Sequence, residues 1–570
     1  MLRSIRQLGQ PFWKILRFYW QHADRQGRQQ GGIGLLLLTV LSCLGGAALV
    51  FESVQRGEFI SALAARDPQR FRVALGWFVV VLLASASLLS FGAYVRDRVG
   101  LQWRKALTQQ VSAAYLADRH YYYLPDDLDN PDQRITEDIR NISQLATTVL
   151  TIVLESGVQL IGFVGVLLSL SFGLTGFLLV YALIGSVIAI LFFGRRLTRI
   201  NAEQLKREAN FRFNIIDIQE NAEAIALYRG QRQAYVSASD RFSQAVENFN
   251  RFIRWQLGLD CFQNSYQYLT FILPSLILAP RILGGELEVG AIVQSQAAFD
   301  RIWLSLSLVI VQFEQLTALA ASTGRLRGLL SAIQQLDQRG DTLIQRIAGE
   351  QIATHQLTLS LPPLSLNKVN YGEQENEQNR TLFENLSFSV DAPLLITGPS
   401  GVGKSSLLKA IAGLWHNGQG RITAPTVNAY ANGQVDILFL PQQPYMTIGS
   451  LRQQLLYPVG IDISDDSLRR VLQQVQLGEL IDLDKIADWS GQLSTGEQQR
   501  LAFARLFIHR PRYAVLDEAT SALSSSQEEY LYRQLASTSI VFISVGHRTE
   551  LRSHHANVLT LKNKHRWTIE

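Results

Sequence analysis

The chain has 570 residues, of which 47% are hydrophobic and 18% are charged. This composition is too apolar for an ordinary soluble protein and predicts two unlike halves, one of them in a membrane. Lysine and arginine number 53 against 48 acidic residues, for a net charge of +5, and this mild excess does not indicate a nucleic-acid partner. Cys43 and Cys261 both lie in apolar segments, which favours free, buried thiols over a disulfide.

The first 333 residues alternate long apolar runs with polar segments. Residues 1–30 mix aromatic with basic side chains and lack the apolar core of a signal peptide, which predicts an amphipathic elbow helix on the cytosolic membrane surface. About six runs in residues 31–333 are long enough to cross a bilayer. They predict a polytopic α-helical membrane domain, with spans at 31–51, 74–95, 146–171, 174–193, 257–282 and 289–319.

Two connections between these spans, 96–145 and 195–256, are long, polar and helix-prone. We therefore expect helices two to five to continue far into the cytosol. Basic residues lie before the first span and beside both connections. They favour an orientation in which these parts of the chain face the cytosol.

Several charged residues fall within the spans or at their margins, where an intramembrane ion pair or an end-of-span position fits about as well as contact with a solute. These are Glu155, Asp260, Asp300, Arg301 and Glu314. The fifth span adds a polar and aromatic patch, which consists of Gln263, Asn264, Tyr266, Gln267 and Tyr268.

The chain changes character after the last span. Residues 334–352 are polar and predict a linker, whereas in residues 353–570 short β-like runs alternate with helical patterns. This alternation predicts a separate α/β domain.

The segment GPSGVGKS, residues 398–405, follows an apolar strand and opens a helix, which is the context of a P-loop. Its glycines allow backbone N–H groups to face phosphate oxygens, Lys404 reaches the β- and γ-phosphates, and Ser405 ligates Mg²⁺. ATP and Mg²⁺ are therefore the expected cofactors. The candidate nucleotide contacts are Gly398, Pro399, Ser400, Gly401, Val402, Gly403, Lys404, Ser405 and Ser406.

The segment YAVLDEA, residues 513–519, is an apolar strand that ends in two acids. Asp517 is placed to hold the magnesium shell, and Glu518 is placed to polarise the attacking water. An apolar strand ending in surface acids is common, so the segment gains weight from its position after the P-loop.

The segment LSTGEQQR, residues 493–500, begins a helix ahead of the acidic strand and resembles the signature of ABC ATPases. The resemblance implies that Ser494, Gly496 and Glu497 contact the nucleotide held by a partner chain, at the positive end of the helix. One P-loop and one signature in a chain then imply a homodimer that encloses two ATP molecules. Thr495 stands where the family usually has a glycine.

Other residues fall where the ABC resemblance requires them. Gln442 in LPQQPY is implied to couple magnesium to the membrane domain, and His547 in SVGHR to contact the γ-phosphate. Taken singly, Gln442 fits a turn equally well, and His547 fits a capping or core histidine equally well. Ser524 replaces an aspartate that many members have after TSAL. Tyr371 is the candidate for stacking on adenine, with a core tyrosine as the alternative.

The membrane half carries motifs of its own. NPDQRITEDI (130–139) and ENAEAIALYRG (220–230) resemble two motifs of the ABC subfamily D half-transporters. LSTGEQQRLAFARLFIHRP (493–511) and ASTGRLRGLL (321–330) also resemble bacterial BacA-like transporters. The resemblance covers nearly the whole chain and implies a six-helix exporter-type fold. The implied location is a bacterial inner membrane, with the ATPase domain in the cytoplasm and the helix around 220–230 inserted in a cleft of an ATPase domain.

Relatives of this kind move cobalamin, acyl-CoA esters or peptides. A large polar cavity suits cobalamin best, so we expect uptake of cobalamin, with fatty acyl-CoA second and an antimicrobial peptide third. An ATP-gated channel or a regulatory ABC protein is the alternative outside transport. Lys404, Asp517, Glu518 and His547 are all present, which argues against that alternative. The expected partners are a second copy, the lipid bilayer and the solute.

Overall fold

The computed structural model describes residues 25–125, 128, 130–306, 312–337, 344–361, 381–425, 435–546, 548–562 and 566–570. The chain divides into two compact units, Met1–Arg339 and Gly340–Glu570. Most of the predicted elbow, residues 1–24, lies outside the described residues.

The first unit consists of helices and short connections in its described residues. Its main helices are α1 (Arg25–Ala64), α2 (Pro68–Leu116), α3 (Ile139–Leu170), α4 (Phe172–Ile188), α5 (Arg195–Glu220), α6 (Ala222–Leu227), α7 (Gln231–Leu283), α8 (Gly290–Leu306) and α9 (Phe313–Asp337). Shorter helical segments occupy Ala117–Arg119, His120–Tyr123, Pro131–Gln133, Arg134–Asp138 and Ala189–Gly194. The last of these joins α4 to α5 without a break.

Within the described residues, five helical stretches are long and apolar enough to cross a membrane. They are Gly31–Ala64, Pro68–Tyr123, Pro131–Leu170, Phe172–Glu220 and Gln231–Leu283. Since about 20 residues cross the hydrocarbon core, the longest of them, with 49, 53 and 56 residues, extend well beyond it. The predicted sixth span, 289–319, coincides with α8 and the start of α9, and residues 307–311 between them are outside the described part of the chain. A sixth span therefore stays a prediction.

Two apolar cores hold the helices of this unit together. One is formed by α1, α2, α3 and α9, and it includes Leu38, Trp103 and Ile139. The other is formed by α3, α4, α7 and α8, and it includes Phe163 and Phe299. The cysteines are free, but the expectation of burial is wrong for Cys261, because its position on α7 is exposed.

Helices α5 and α7 form an antiparallel hairpin that is joined by polar contacts. The Asn248 amide donates to the Ile200 carbonyl and to Oε1 of Gln204, both at 3.0 Å. Nearer the tip of the hairpin, Asn214 donates to the Ser237 hydroxyl at 3.2 Å. These bonds fix the register of the two helices over several turns.

The second unit contains twelve described strands. They are β1 (Ile344–Ala348), β2 (Ala353–Ser360), β3 (Thr381–Ser389), β4 (Leu394–Thr397), β5 (Gly418–Ala424), β6 (Ile437–Leu440), β7 (Ile448–Ser450), β8 (Ile486–Asp488), β9 (Tyr513–Asp517), β10 (Val541–Val545), β11 (Asn557–Lys562) and β12 (Arg566–Ile569). The helices are α10 (Lys404–Ile411), α11 (Leu451–Leu456), α12 (Asp465–Gln474), α13 (Trp489–Gln492), α14 (Thr495–His509), α15 (Ser525–Ala536) and the 3₁₀ turn Thr549–His554.

These strands form three sheets. The largest has the order β12-β11-β4-β10-β9-β6 and is parallel except for the edge pair β11–β12. A second has the order β1-β5-β2-β3, and β7 pairs with β8. The short strands β9 and β10 are almost wholly buried, as expected for central parallel strands that are covered on both faces. Strand β1 lies within the predicted linker 334–352 and pairs with β5.

An ion pair with a buried carboxylate joins two motifs that the sequence singled out in the membrane half. The guanidinium of Arg325, on α9, donates to both carboxylate oxygens of Asp138, at 2.8 and 2.5 Å. The Asp138 side chain is 1% exposed, whereas that of Arg325 is 47% exposed. Arg134, from the same motif as Asp138, donates to the Arg325 carbonyl at 3.0 Å.

Because Asp138 is the buried partner, loss of the arginine strands a buried negative charge. We expect Arg325→Ala to destabilise the membrane unit by about 1–3 kcal/mol, because the Asp138 carboxylate loses its side-chain donor, measured by thermal unfolding in detergent. Adding Asp138→Asn to that variant should restore part of the loss. Arg327→Ala, which removes an exposed arginine from the same helix, is the matched control, and an equal effect of the two alanine variants would contradict the assignment.

Candidate functional site

The P-loop connects the end of β4 to the start of α10. Gly398 and Gly403 have φ values of 145° and 104°, which glycine adopts readily and other residues rarely do. A Cβ atom on Gly398 would also lie 2.3 Å from the Leu561 carbonyl oxygen. The backbone at these positions therefore requires glycine, and it curls around the first turn of α10.

Lys404 is the first residue of α10 and is almost fully buried. Its ammonium donates to the carbonyls of Gly398 and Pro399, at 2.7 and 2.9 Å. Burial lowers the pKa of Lys404, while the carboxylates of Glu518 and Asp517 act in the opposite direction. A cation held inside the loop in this way suits the phosphates of a nucleotide.

Two acids lie at the end of β9, beside the P-loop. The Ser405 hydroxyl donates to Oδ1 of Asp517 at 3.2 Å, and burial raises the pKa of Asp517. A hydroxyl next to a carboxylate is a donor set that fits Mg²⁺, which usually takes one or two protein ligands together with phosphate oxygens and water. The remaining candidate P-loop residues, Ser400, Gly401, Val402 and Ser406, are neighbours of Ser405 in the chain.

Glu518 follows Asp517 and leaves the strand with a φ of 48°. Its carboxylate accepts a hydrogen bond from the Gln442 amide at 3.0 Å, and its own N–H donates to the Val545 carbonyl at 3.1 Å. A left-handed backbone at a residue other than glycine is strained and often marks a functional position. The structure thus brings together Lys404, Ser405, Gln442, Asp517 and Glu518.

The signature segment begins α14, and Ser494 is the N-cap of that helix. The Glu497 carboxylate accepts from both the backbone N–H and the hydroxyl of Ser494, at 2.8 and 2.6 Å, and these bonds lower the pKa of Glu497. Gly496 lies close to the next loop, since a Cβ atom there would be 3.2 Å from the Ala522 carbonyl oxygen. Thr495 is exposed in the first turn.

The loop that follows Glu518 is held by two buried side chains that the sequence analysis did not single out. Gln499, on α14, contacts Gln442, Ser521 and Ala522. Glu528, on α15, accepts hydrogen bonds from the Thr520 hydroxyl and, at 2.9 Å, from Arg548. The residue pattern gave no signal for either role, because both side chains are polar residues within helices.

Two predicted site residues, Tyr371 and His547, lie outside the described residues, and their roles stay predictions. Arg548, which follows His547, donates to the Leu523 carbonyl at 3.0 Å. Ser524 is the N-cap of α15, and its hydroxyl accepts from the Gln527 N–H at 3.3 Å.

The polar patch predicted on the fifth span is not one surface. The ring of Tyr266 stacks on that of Tyr181, with centroids 4.1 Å apart, and its hydroxyl donates to the Tyr181 carbonyl. Asp260, Asn264 and Tyr268 are exposed instead, because residues four apart share one face of a helix. Of the charged candidates, Glu155, Asp300 and Arg301 are half-buried, and the Glu314 side chain is outside the described residues.

Comparison with known proteins agrees with both units. The ABC transporter transmembrane region 2 family matches residues 27–283, and the ABC transporter family matches residues 383–521. The chain is 40% identical to an uncharacterized ABC transporter ATP-binding protein of Synechocystis, over 96% of this chain and 83% of that protein.

Two further relatives extend over nearly the same range. ABC transporter D family member 2, chloroplastic, of Arabidopsis thaliana is 32% identical over 100% of this chain and 89% of its own. A lysosomal cobalamin transporter of Homo sapiens is 30% identical over 95% of this chain and 93% of its own length. The chain is an ABC transporter of subfamily D. This confirms the predicted family, a helical membrane region followed by an α/β ATPase domain, and ATP-hydrolysing transport by a multi-pass membrane protein.

Substitution of Lys404 tests the nucleotide site of the transporter directly. We expect Lys404→Ala to lower ATP hydrolysis by about 100-fold or more, because the variant loses the only side-chain cation that the described residues hold inside the P-loop. Phosphate release from the purified transporter measures the effect. Lys409→Ala, an exposed lysine on the same helix, should retain activity within about threefold, and comparable losses in the two variants would refute the role.

Proposed function

We propose that this transporter works as a homodimer in which two ATP molecules are enclosed between the copies. Each site would combine the P-loop, Asp517 and Glu518 of one chain with Ser494 and Gly496 of the other. The juxtaposition of Ser405 with Asp517 and of Gln442 with Glu518 carries this proposal, because it groups the candidate magnesium and water-orienting side chains of one half-site within each chain.

The α5–α7 hairpin provides independent support for a second copy. Its predicted location is the cytosol, yet in the single chain several large apolar side chains on it are more than half exposed: Leu205, Phe213, Leu227, Tyr228, Tyr235 and Phe242. Exposed apolar side chains at this density mark a protein interface. We propose that the partner subunit covers them.

Mg²⁺ is the cofactor that we propose beside ATP. The Ser405 hydroxyl and the Asp517 carboxylate would hold Mg²⁺ and its shell, and Gln442 would contribute from its position beside Glu518. Bound Mg²⁺ would neutralise phosphate charge, while Glu518 would orient the attacking water. Tyr371 and His547 keep their predicted contacts with adenine and the γ-phosphate.

We expect Glu518→Gln to bind ATP while its turnover falls by about 100-fold. The amide is nearly isosteric with the carboxylate but cannot polarise the water, so the dimer should stay closed around ATP. Turnover and retained radiolabelled nucleotide in the purified variant measure the two effects. Unchanged turnover would remove Glu518 from this role, whereas a loss of nucleotide retention would contradict the closed dimer.

The solute that we propose is cobalamin, taken up across a bacterial inner membrane with the ATPase domains in the cytoplasm. Asp260, Asn264 and Tyr268 present a carboxylate, an amide and a phenol on the exposed face of α7. These groups suit a bulky solute rich in amides, and the carboxylate disfavours a polyanion such as acyl-CoA. The name of the human relative points to the same solute, and the relative from Synechocystis supports the bacterial membrane.

Sealed vesicles test both solute and direction. With ATP trapped inside, only transporters whose ATPase domains face the lumen are energised, and we expect them to accumulate labelled cobalamin. Vesicles that contain Glu518→Gln are the control and should accumulate none. Accumulation driven by external ATP alone would reverse the direction, and acyl-CoA-stimulated hydrolysis without cobalamin movement would replace the solute.

A further inference from the structure

Gln499 is a fully buried glutamine on α14 whose side-chain amide joins three segments of the ATPase unit. Both N–H groups of the amide donate, one to the Gln442 carbonyl at 3.0 Å and one to the Ser521 hydroxyl at 3.2 Å. Its oxygen accepts from the Ala522 N–H at 3.0 Å. A buried amide with all of its donors engaged holds its neighbours at fixed positions.

These segments serve different ATP sites in the proposed dimer. Gln442 lies beside Glu518 and belongs to the site of its own P-loop, and the loop through Ser521 and Ala522 continues directly from Glu518. Helix α14, in contrast, begins at Ser494, which would contact the nucleotide bound by the partner. One side chain therefore connects the two ATP sites within a single subunit.

We infer that Gln499 is a positioning residue that couples the two ATP sites of the dimer. When a nucleotide draws the start of α14 towards it, the helix carries Gln499 with it, because a helix transmits displacement along its hydrogen-bonded backbone. Gln442 and the loop after Glu518 must then follow, since otherwise a buried amide would lose its partners. Occupation of one site in this way adjusts the catalytic groups of the other. The inference rests on the proposed homodimer.

The neighbourhood of Ser524 supports this assignment. Ser524 stands where many ABC proteins have an aspartate, and its hydroxyl is used within its own helix, as the N-cap of α15. The amide of Gln499 meets the same loop two residues earlier, at Ala522. Gln499 thus provides a buried connection to this loop, in which Ser524 replaces the usual aspartate.

Gln498 is a matched control on the same helix. It is also buried, and its amide donates to the carbonyls of Ser490 and Leu493, at 3.0 and 2.8 Å. Both of these acceptors precede α14 in the same stretch of chain, so Gln498 stabilises the signature segment without contacting Gln442 or the loop after Glu518 in the described residues. Replacement by alanine removes a buried amide in either case, and only Gln499→Ala breaks the connection between sites.

Mixed dimers measure the coupling directly. Chains with two different affinity tags are co-expressed, one of them carrying Lys404→Ala, and the mixed dimer is isolated through both tags. In the wild-type background we expect the remaining site to turn over about tenfold more slowly than a site of the intact dimer. With Gln499→Ala in both chains, the mixed dimer should retain about half of the turnover of the Gln499→Ala homodimer, as independent sites do.

The control and the outcomes separate the inference from a structural effect. Gln498→Ala should lower thermal stability about as much as Gln499→Ala. The ratio of mixed-dimer turnover to homodimer turnover, however, should be the same in the Gln498→Ala background as in the wild type. Two results would overturn the coupling role. One is a wild-type mixed dimer that retains half of the turnover of the wild-type homodimer, and the other is a ratio of these turnovers that Gln499→Ala leaves unchanged. Failure of the two tags to copurify would instead contradict the homodimer itself.

Discussion

The register of three parallel strands determines where the catalytic groups of this transporter lie. In β10, Val545 is opposite Ile396 of β4 on one side and Asp517 of β9 on the other. The three strands therefore end at one level, and the chain leaves each of them towards the same edge of the sheet. That edge receives the P-loop after β4, the two acids at the end of β9, and Gly546 after β10. Burial of these strands on both faces makes a shift in register costly.

The loops that leave this edge are positioned by buried polar side chains. Between Glu518 and Ser524 the backbone is held on one side by Gln499 and on the other by Glu528, which Thr520 and Arg548 contact. A buried polar group is expensive to leave unsatisfied. The loop therefore cannot move by itself, because any displacement must carry α14, α15 or the Arg548 segment with it. Catalytic precision and mechanical coupling follow from the same hydrogen bonds.

Much of this arrangement could be predicted from the sequence, and the remainder could not for definite physical reasons. Phosphate binding requires glycines, a lysine and a hydroxyl at fixed spacing, so residues 398–405 indicated both the site and the strand before it. Gln498 and Gln499 are adjacent and chemically identical, and their different roles depend on which way α14 faces. Likewise Tyr266 and Tyr268 belong to one polar stretch, but the helical period turns them to opposite environments. Tertiary orientation is the information that a local pattern lacks.

The membrane unit is braced at both ends of its main bundle. At one end, Arg70 of α2 makes paired contacts with Glu58 of α1 and Glu288 before α8, at 2.8 to 3.0 Å. At the other end, Arg325 of α9 holds Asp138 at the start of α3. Paired guanidinium–carboxylate contacts fix angle as well as distance.

Between these braces the helices pack through apolar side chains. Beside the Arg70 brace, Gly57 and Gly290 approach closely, since a Cβ atom on Gly290 would lie 2.1 Å from the Gly57 carbonyl oxygen. Such packing tolerates little sliding. The α5–α7 hairpin is different, because its polar bonds join the two helices to each other while its apolar side chains remain exposed in the single chain. A transport cycle requires some helices to change partners. The braced bundle resists such an exchange, so the hairpin is the part of the membrane unit that is left to contact the proposed second copy.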